Sequence, residues 1–152
     1  MKRFATSIAL VIVAWAAFAS GGPLRELGGR YEVQSRCTTL GPNGYEPCGP
    51  ETHDYFELTW TSDHSASFEV FSVQTNGHQC TVSGAAELRG DSLVYLDKAS
   101  PDQGQGLKIQ VNGGSITFAY LKPIPSHQRP PYCGTRAFLE NIKFPLEARV
   151  DR

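Results

Sequence analysis

Between Tyr55 and Tyr120 several runs of side chains alternate between apolar and polar, and turn-prone clusters separate them. An antiparallel sheet accommodates that period and a helix does not. The clearest runs are Ala66, Phe68 and Val70; Cys80, Val82, Gly84, Ala86 and Leu88; Leu107, Ile109 and Val111; and Ile116, Phe118 and Tyr120. Leu93-Val94-Tyr95-Leu96 forms a further apolar run. Between residues 55 and 61 the apolar set is Tyr55, Leu58 and Trp60, with Phe56 breaking the pattern. Reversals are expected at Ser62-Asp63-His64-Ser65, Gly90-Asp91, Asn112-Gly113-Gly114 and above all Asn76-Gly77, because both of those residues tolerate positive φ. With Tyr31-Glu32-Val33 these segments make about seven strands, which predicts a single all-β domain, an antiparallel barrel or sandwich. Residues 135–141 predict a short turn rather than a helix with its own core face. Residues 99–106 and 122–131 lack periodicity, the second carrying Pro123, Pro125, Pro130 and Pro131, and are expected to protrude.

The N-terminus has the order of a secretory signal. Lys2 and Arg3 precede an apolar run over residues 8–18, and Ala17-Phe18-Ala19 supplies a small-x-small exit. Cleavage after Ala19 is expected, giving a signal peptide at 1–19 and one domain at 20–152, without a membrane span after processing. The first cysteine is Cys37, too far from that exit to carry a lipid. A periplasmic or secreted location follows. Removing Lys2 and Arg3 from 14 basic residues leaves 12 against 15 acidic ones, a net charge of −3. A mildly acidic domain is poorly suited to nucleic acid and associates more readily with basic partners.

Four cysteines, Cys37, Cys48, Cys80 and Cys133, imply two disulfides in an oxidising compartment, with three possible pairings. Cys37–Cys48 is favoured, since Pro42-Asn43-Gly44 between them invites a reversal, and Cys80–Cys133 then follows. No Cys-x-x-Cys pair occurs and the histidines stand alone, so no metal and no cofactor is expected.

Catalytic constellations are missing from the sequence pattern. There is no Gly-x-Ser-x-Gly elbow and no His-Glu-x-x-His. Glu57, Glu69, Glu87 and Asp97 could supply a glycosidase pair, but at strand period they read as solvent-face carboxylates. The Arg89-Gly90-Asp91 tripeptide reads as turn chemistry. His78, between a hairpin glycine and Cys80, is expected to serve the turn, and Arg136 to pair with a carboxylate such as Glu87 across the sheet. Trp60 and the other aromatics at strand period are expected in the core.

The segment Asn76-Gly77-His78-Gln79-Cys80-Thr81-Val82-Ser83-Gly84-Ala85-Ala86-Glu87, followed by Leu93-Val94-Tyr95, Leu107-Lys108-Ile109 and Tyr132-Cys133-Gly134-Thr135-Arg136, resembles a family of small bacterial envelope proteins of unassigned function. The resemblance spans residues 66–144. Some members resemble a domain joined to lysozyme-inhibitor-like modules. Where that family's pattern places a cysteine just before the Leu107 strand, this chain has Gly106, and it lacks a second cysteine shortly before Cys133, so Cys37–Cys48 reads as a local addition.

These features predict a binding protein rather than an enzyme. The leading expectation is an inhibitor or immunity protein whose protein partner is a peptidoglycan-degrading enzyme, lysozyme-like or amidase. The alternative is a non-catalytic structural or accessory module of the envelope, and a hydrolase on a β scaffold is the remaining reading. Ser126, His127 and Arg129 are the expected partner-binding residues, since the surrounding prolines restrict the backbone in advance and lower the cost of presenting them.

Overall fold

A computed structural model describes residues 23–99, 105–125 and 128–150. Among these described residues eleven strands form: β1 (Gly29–Gln34), β2 (Thr38–Gly41), β3 (Gly44–Pro47), β4 (His53–Trp60), β5 (Ser65–Gln74), β6 (His78–Arg89), β7 (Ser92–Leu96), β8 (Gly106–Asn112), β9 (Ser115–Tyr120), β10 (Lys143–Pro145) and β11 (Arg149–Val150). Nine of them make one antiparallel sheet in the order β10-β9-β8-β7-β6-β5-β4-β1-β11, while β2 and β3 form a separate hairpin. The edge strands β10 and β11 are consecutive in the chain, joined by the 3-10 turn Leu146–Ala148. The chain therefore bends from one edge of the sheet to the other and nearly closes it into a barrel. All seven expected strands are present. The sandwich alternative is resolved in favour of the barrel by β10 and β11, two of the four strands the sequence pattern did not announce.

Alternation decides what fills the interior. Ala66, Phe68, Val70 and Ser72 of β5, Cys80, Val82 and Ala86 of β6, and Leu107 and Ile109 of β8 are buried. Phe56, Phe118 and Phe144 pack with ring centroids 5.5 to 6.1 Å apart, and Tyr31 sits 6.2 Å from Phe56. Burying such rings stabilises by roughly 1.5–3 kcal/mol each. In β4 the inward set is Asp54, Phe56 and Leu58, which corrects the expected assignment. Tyr55 is the residue that faces outward. It stacks on Phe71 of β5 at 5.6 Å, lies under the Arg30 guanidinium at 3.9 Å and donates from its hydroxyl to Glu69. An aromatic residue thus finds enough cross-strand contact on the solvent face to stay there.

The strand directions place short connections at one end of the barrel, at residues 61–64, 90–91 and 113–114. The 3-10 segment Pro23–Leu27 plugs this end with the buried Leu24 and Leu27. The other end holds the longer connections: residues 35–52, 97–105 and 121–142, together with the tight reversal Thr75–Gly77. In that reversal Asn76 has φ 59° and Gly77 φ 68°, as the Asn-Gly pair predicts. Residues 135–141 contain only the 3-10 turn Leu139–Asn141, in agreement with the expected short turn. Among the described residues no helix is long and apolar enough to cross a membrane.

Candidate functional site at the long-loop end

The first element of this end is the β2–β3 hairpin. Its ends are joined by the Cys37–Cys48 disulfide, with Cα atoms 5.3 Å apart, and by a hydrogen bond from the Cys48 N–H to the Cys37 carbonyl at 3.1 Å. The chain reverses through Pro42 and Asn43 into Gly44, whose φ of 116° only glycine adopts readily. Leu40 and Tyr45 are direct cross-strand partners and are 74% and 66% exposed. Because this hairpin lies outside the barrel sheet, those two side chains meet no core. It leans on the Thr75–Gly77 reversal.

The second element is the connection from β9 to β10. Cys133 is bonded to Cys80 with Cα atoms 4.0 Å apart, as expected. Around it the Thr81 N–H donates to the Tyr132 carbonyl at 2.8 Å and the Gly134 N–H to the Gln79 carbonyl at 2.7 Å, so this segment pairs with β6 where β7 no longer reaches it. The Gln74 side-chain amide donates to the Phe138 carbonyl at 2.9 Å and accepts from the Phe138 N–H at 3.1 Å, as a strand would. The Tyr120 hydroxyl accepts from the Leu139 N–H at 3.2 Å. Ala137 and Leu139 are fully buried, so the connection caps the barrel.

A group of tyrosines lies under this cap. Tyr95 packs over Gly84, where a Cβ would come within 2.5 Å of its ring, and its centroid is 6.2 Å from that of Tyr132. The Tyr132 hydroxyl donates to Asp97 at 3.1 Å. Burial first, and then the Asp97 carboxylate, hold the Tyr132 hydroxyl well above the usual phenol range. Gly106 has a packing reason of its own: a Cβ there would lie 2.1 Å from the Tyr95 carbonyl oxygen, so the cysteine expected from the family resemblance could not be accommodated without moving β7.

The expected site residues have separate fates. Arg129 is exposed, but its Nε donates to the Cys133 carbonyl at 2.7 Å, tying it to the disulfide segment. Ser126 and His127 lie outside the described residues. Where described, residues 122–131 do not simply protrude, since Pro130 is buried. His78 closes the hairpin through its backbone N–H to the Thr75 carbonyl, and its ring lies against Gly134. The expected Arg136–Glu87 pair does not form. Glu87 accepts instead from Arg89 at 3.0 Å, two residues along the same strand face, where no cross-barrel reach is needed. Arg136 occupies a left-handed position, φ 67°. Glu57 accepts from Arg30, Glu69 from Tyr55, and Asp97 from Tyr132 and the Ala99 N–H. Each of these carboxylates has a local hydrogen-bond partner, and Glu57 and Glu69 are direct cross-strand partners of β4 and β5 on the side away from the core.

Sequence reasoning missed a cleft of about 490 Å³ beside the hairpin, where β1 and β10 diverge. Its floor includes the buried Asp54, whose carboxylate accepts from the Ser35 hydroxyl, the Ser72 hydroxyl at 2.8 Å and the Val73 N–H at 2.9 Å. Arg36 and Lys143 stand at its rim. The polar Asp54 and Ser72 at inward strand positions were the available signal. Among the described residues no cluster of three His, Cys, Asp or Glu side chains could hold a metal ion. Comparison with protein-family models, curated proteins and solved structures finds no match to this chain.

Proposed function

We propose that this chain is an exported binding protein that acts as an inhibitor or immunity protein against a peptidoglycan-degrading enzyme, using the long-loop end of the barrel. The observation that carries the reading is the Leu40–Tyr45 pair, two large apolar side chains adjacent on a short hairpin whose ends a disulfide holds. Exposed aromatic and aliphatic anchors on a pre-ordered backbone suit insertion into a partner's cleft, because little conformational freedom is lost on binding. The signal-like N-terminus and the two disulfides agree with work outside the cytoplasm. The barrel interior supports a scaffold role, since its aromatic core is filled by the protein's own side chains.

The test is inhibition of muramidase and amidase activity on purified peptidoglycan by the disulfide-bonded protein. Inhibition of one activity is expected, and Leu40→Ser/Tyr45→Ser should weaken it at least tenfold, about 1.4 kcal/mol. Ser126→Ala, His127→Ala and Arg129→Ala probe the neighbouring connection in the same assay. Absence of inhibition of both enzymes would reject the inhibitor reading in favour of an accessory envelope module.

A further inference from the structure

We infer that the cleft between β1 and β10 binds an organic carboxylate, its carboxylate held by Arg36 and Lys143 and its apolar body lying against Val73, Ile142 and Pro145. This goes beyond the proposed inhibition and does not depend on it. The barrel is least closed here. β1 pairs with β4 as far as Gln34, but with β11 only at Arg30 and Tyr31. The Ser35 N–H donates to the Thr52 carbonyl on the β4 side, so strand alternation turns the N–H of Gln34, past the last β11 partner, toward the opening. One backbone donor thus joins two cations in the lining of the cleft.

Charge supplies the direction of recognition. Among the described residues Arg36 and Lys143 meet no carboxylate, whereas Arg25, Arg30 and Arg89 each form an ion pair. Asp54 sits in the floor, but three hydrogen bonds from its own neighbours occupy its oxygens and fix the ends of β4 and β5 as a wall. The ligand's charge therefore meets the two cations. A planar guanidinium matches a carboxylate in a paired hydrogen-bond geometry, and the apolar side of the cleft selects a carbon body over a bare inorganic anion. A volume of about 490 Å³ suits a small molecule.

The experiment is an NMR titration of the disulfide-bonded protein with sodium hexanoate, with hexanol as an uncharged analogue of the same chain length and inorganic phosphate as an anion without a carbon body. Hexanoate is expected to shift the amide resonances of Gln34, Val73 and Asn141 saturably, and the other two probes to bind at least about tenfold more weakly. Arg36→Gln/Lys143→Gln, both exposed positions, should keep the melting temperature and weaken hexanoate by about tenfold or more. Phosphate binding as tightly as hexanoate would overturn the carboxylate assignment, as would hexanoate binding unchanged in the double variant. Failure of hexanoate to bind at all would overturn the site, while leaving enzyme inhibition by the hairpin untouched.

Discussion

The two ends of the barrel solve the same problem by different means. At the short-turn end the connections are tight, and Leu24 and Leu27 cover the interior with apolar surface. At the other end most connections are long, and the one from β9 to β10 is held over the barrel by the Cys80–Cys133 disulfide and a set of side-chain-to-backbone hydrogen bonds, while Cys37–Cys48 joins the ends of the hairpin beside it. The difference teaches that hydrophobic burial closes an end where the chain turns sharply, and directional or covalent bonds are needed where it wanders. It also places the exposed apolar pair and the cleft at the end held by bonds, where surface is free for contact.

The strongest way to break this comparison is to remove the long-range staple. Cys80→Ala/Cys133→Ala opens a loop of sequence separation 53 and should cost about 4 kcal/mol in the chain-entropy model, against about 3 kcal/mol for Cys37→Ala/Cys48→Ala with separation 11. Denaturant unfolding of both variants measures the order, and the reverse order would refute the view that the barrel cap depends chiefly on Cys80–Cys133. At the apolar end Leu27→Ala, 2% exposed, should cost about 3 kcal/mol by leaving a cavity. If it proved nearly neutral, the plug would be dispensable and the two ends more alike than described.

Gln74→Ala sharpens the comparison with a smaller effect. It strips the Phe138 N–H and carbonyl of their partner and should lower stability by about 1–2 kcal/mol. Hydrogen exchange at Leu139 should rise more than exchange at Phe56. Equal changes at both sites would show that the cap does not open independently of the barrel.

The smallest expected effect is one of pH. A phenol whose folded-state pKa is raised contributes stability that is fully present below its unfolded pKa and is lost as pH rises above it, because the unfolded chain ionises first. Tyr132, Tyr120 and Tyr95 are all raised, chiefly by burial, and all lie at the long-loop end. The protein should therefore lose stability above about pH 10, and Tyr132→Phe should lose less over that interval while forfeiting about 1 kcal/mol or less at neutral pH with its Asp97 hydrogen bond. An alkaline slope identical in the variant would remove Tyr132 from the cause.

What the sequence made legible follows from how local each signal is. The Asn76-Gly77 reversal, the interior residues of β5, β6, β8 and β9, and the Cys37–Cys48 pairing all rest on residues near one another in the chain. Closure of the barrel was not legible, because it depends on β10 and β11, three and two residues long, of which β11 meets β1 across most of the chain. The outward Tyr55 was misplaced because its partners Phe71, Glu69 and Arg30 come from other strands. The hairpin reversal was visible in Pro42-Asn43-Gly44, yet the exposure of Leu40 and Tyr45 was not, since an apolar residue beside a polar one reads as half-buried wherever it occurs. The cleft escaped for a similar reason: Arg36 and Lys143 stand 107 positions apart and only the fold brings them to one rim.

The pairing of Arg30 with Val150 and Tyr31 with Arg149 also bears on how the molecule acquires its shape. Such a contact closes a very long loop, so its entropic cost falls before any reward, and chains dominated by such contacts fold slowly. The local hairpins are expected to form first, leaving an open sheet whose unpaired margins are β1 and β9. Until β10 and β11 arrive, those margins can pair with a neighbouring chain, which makes refolding sensitive to protein concentration.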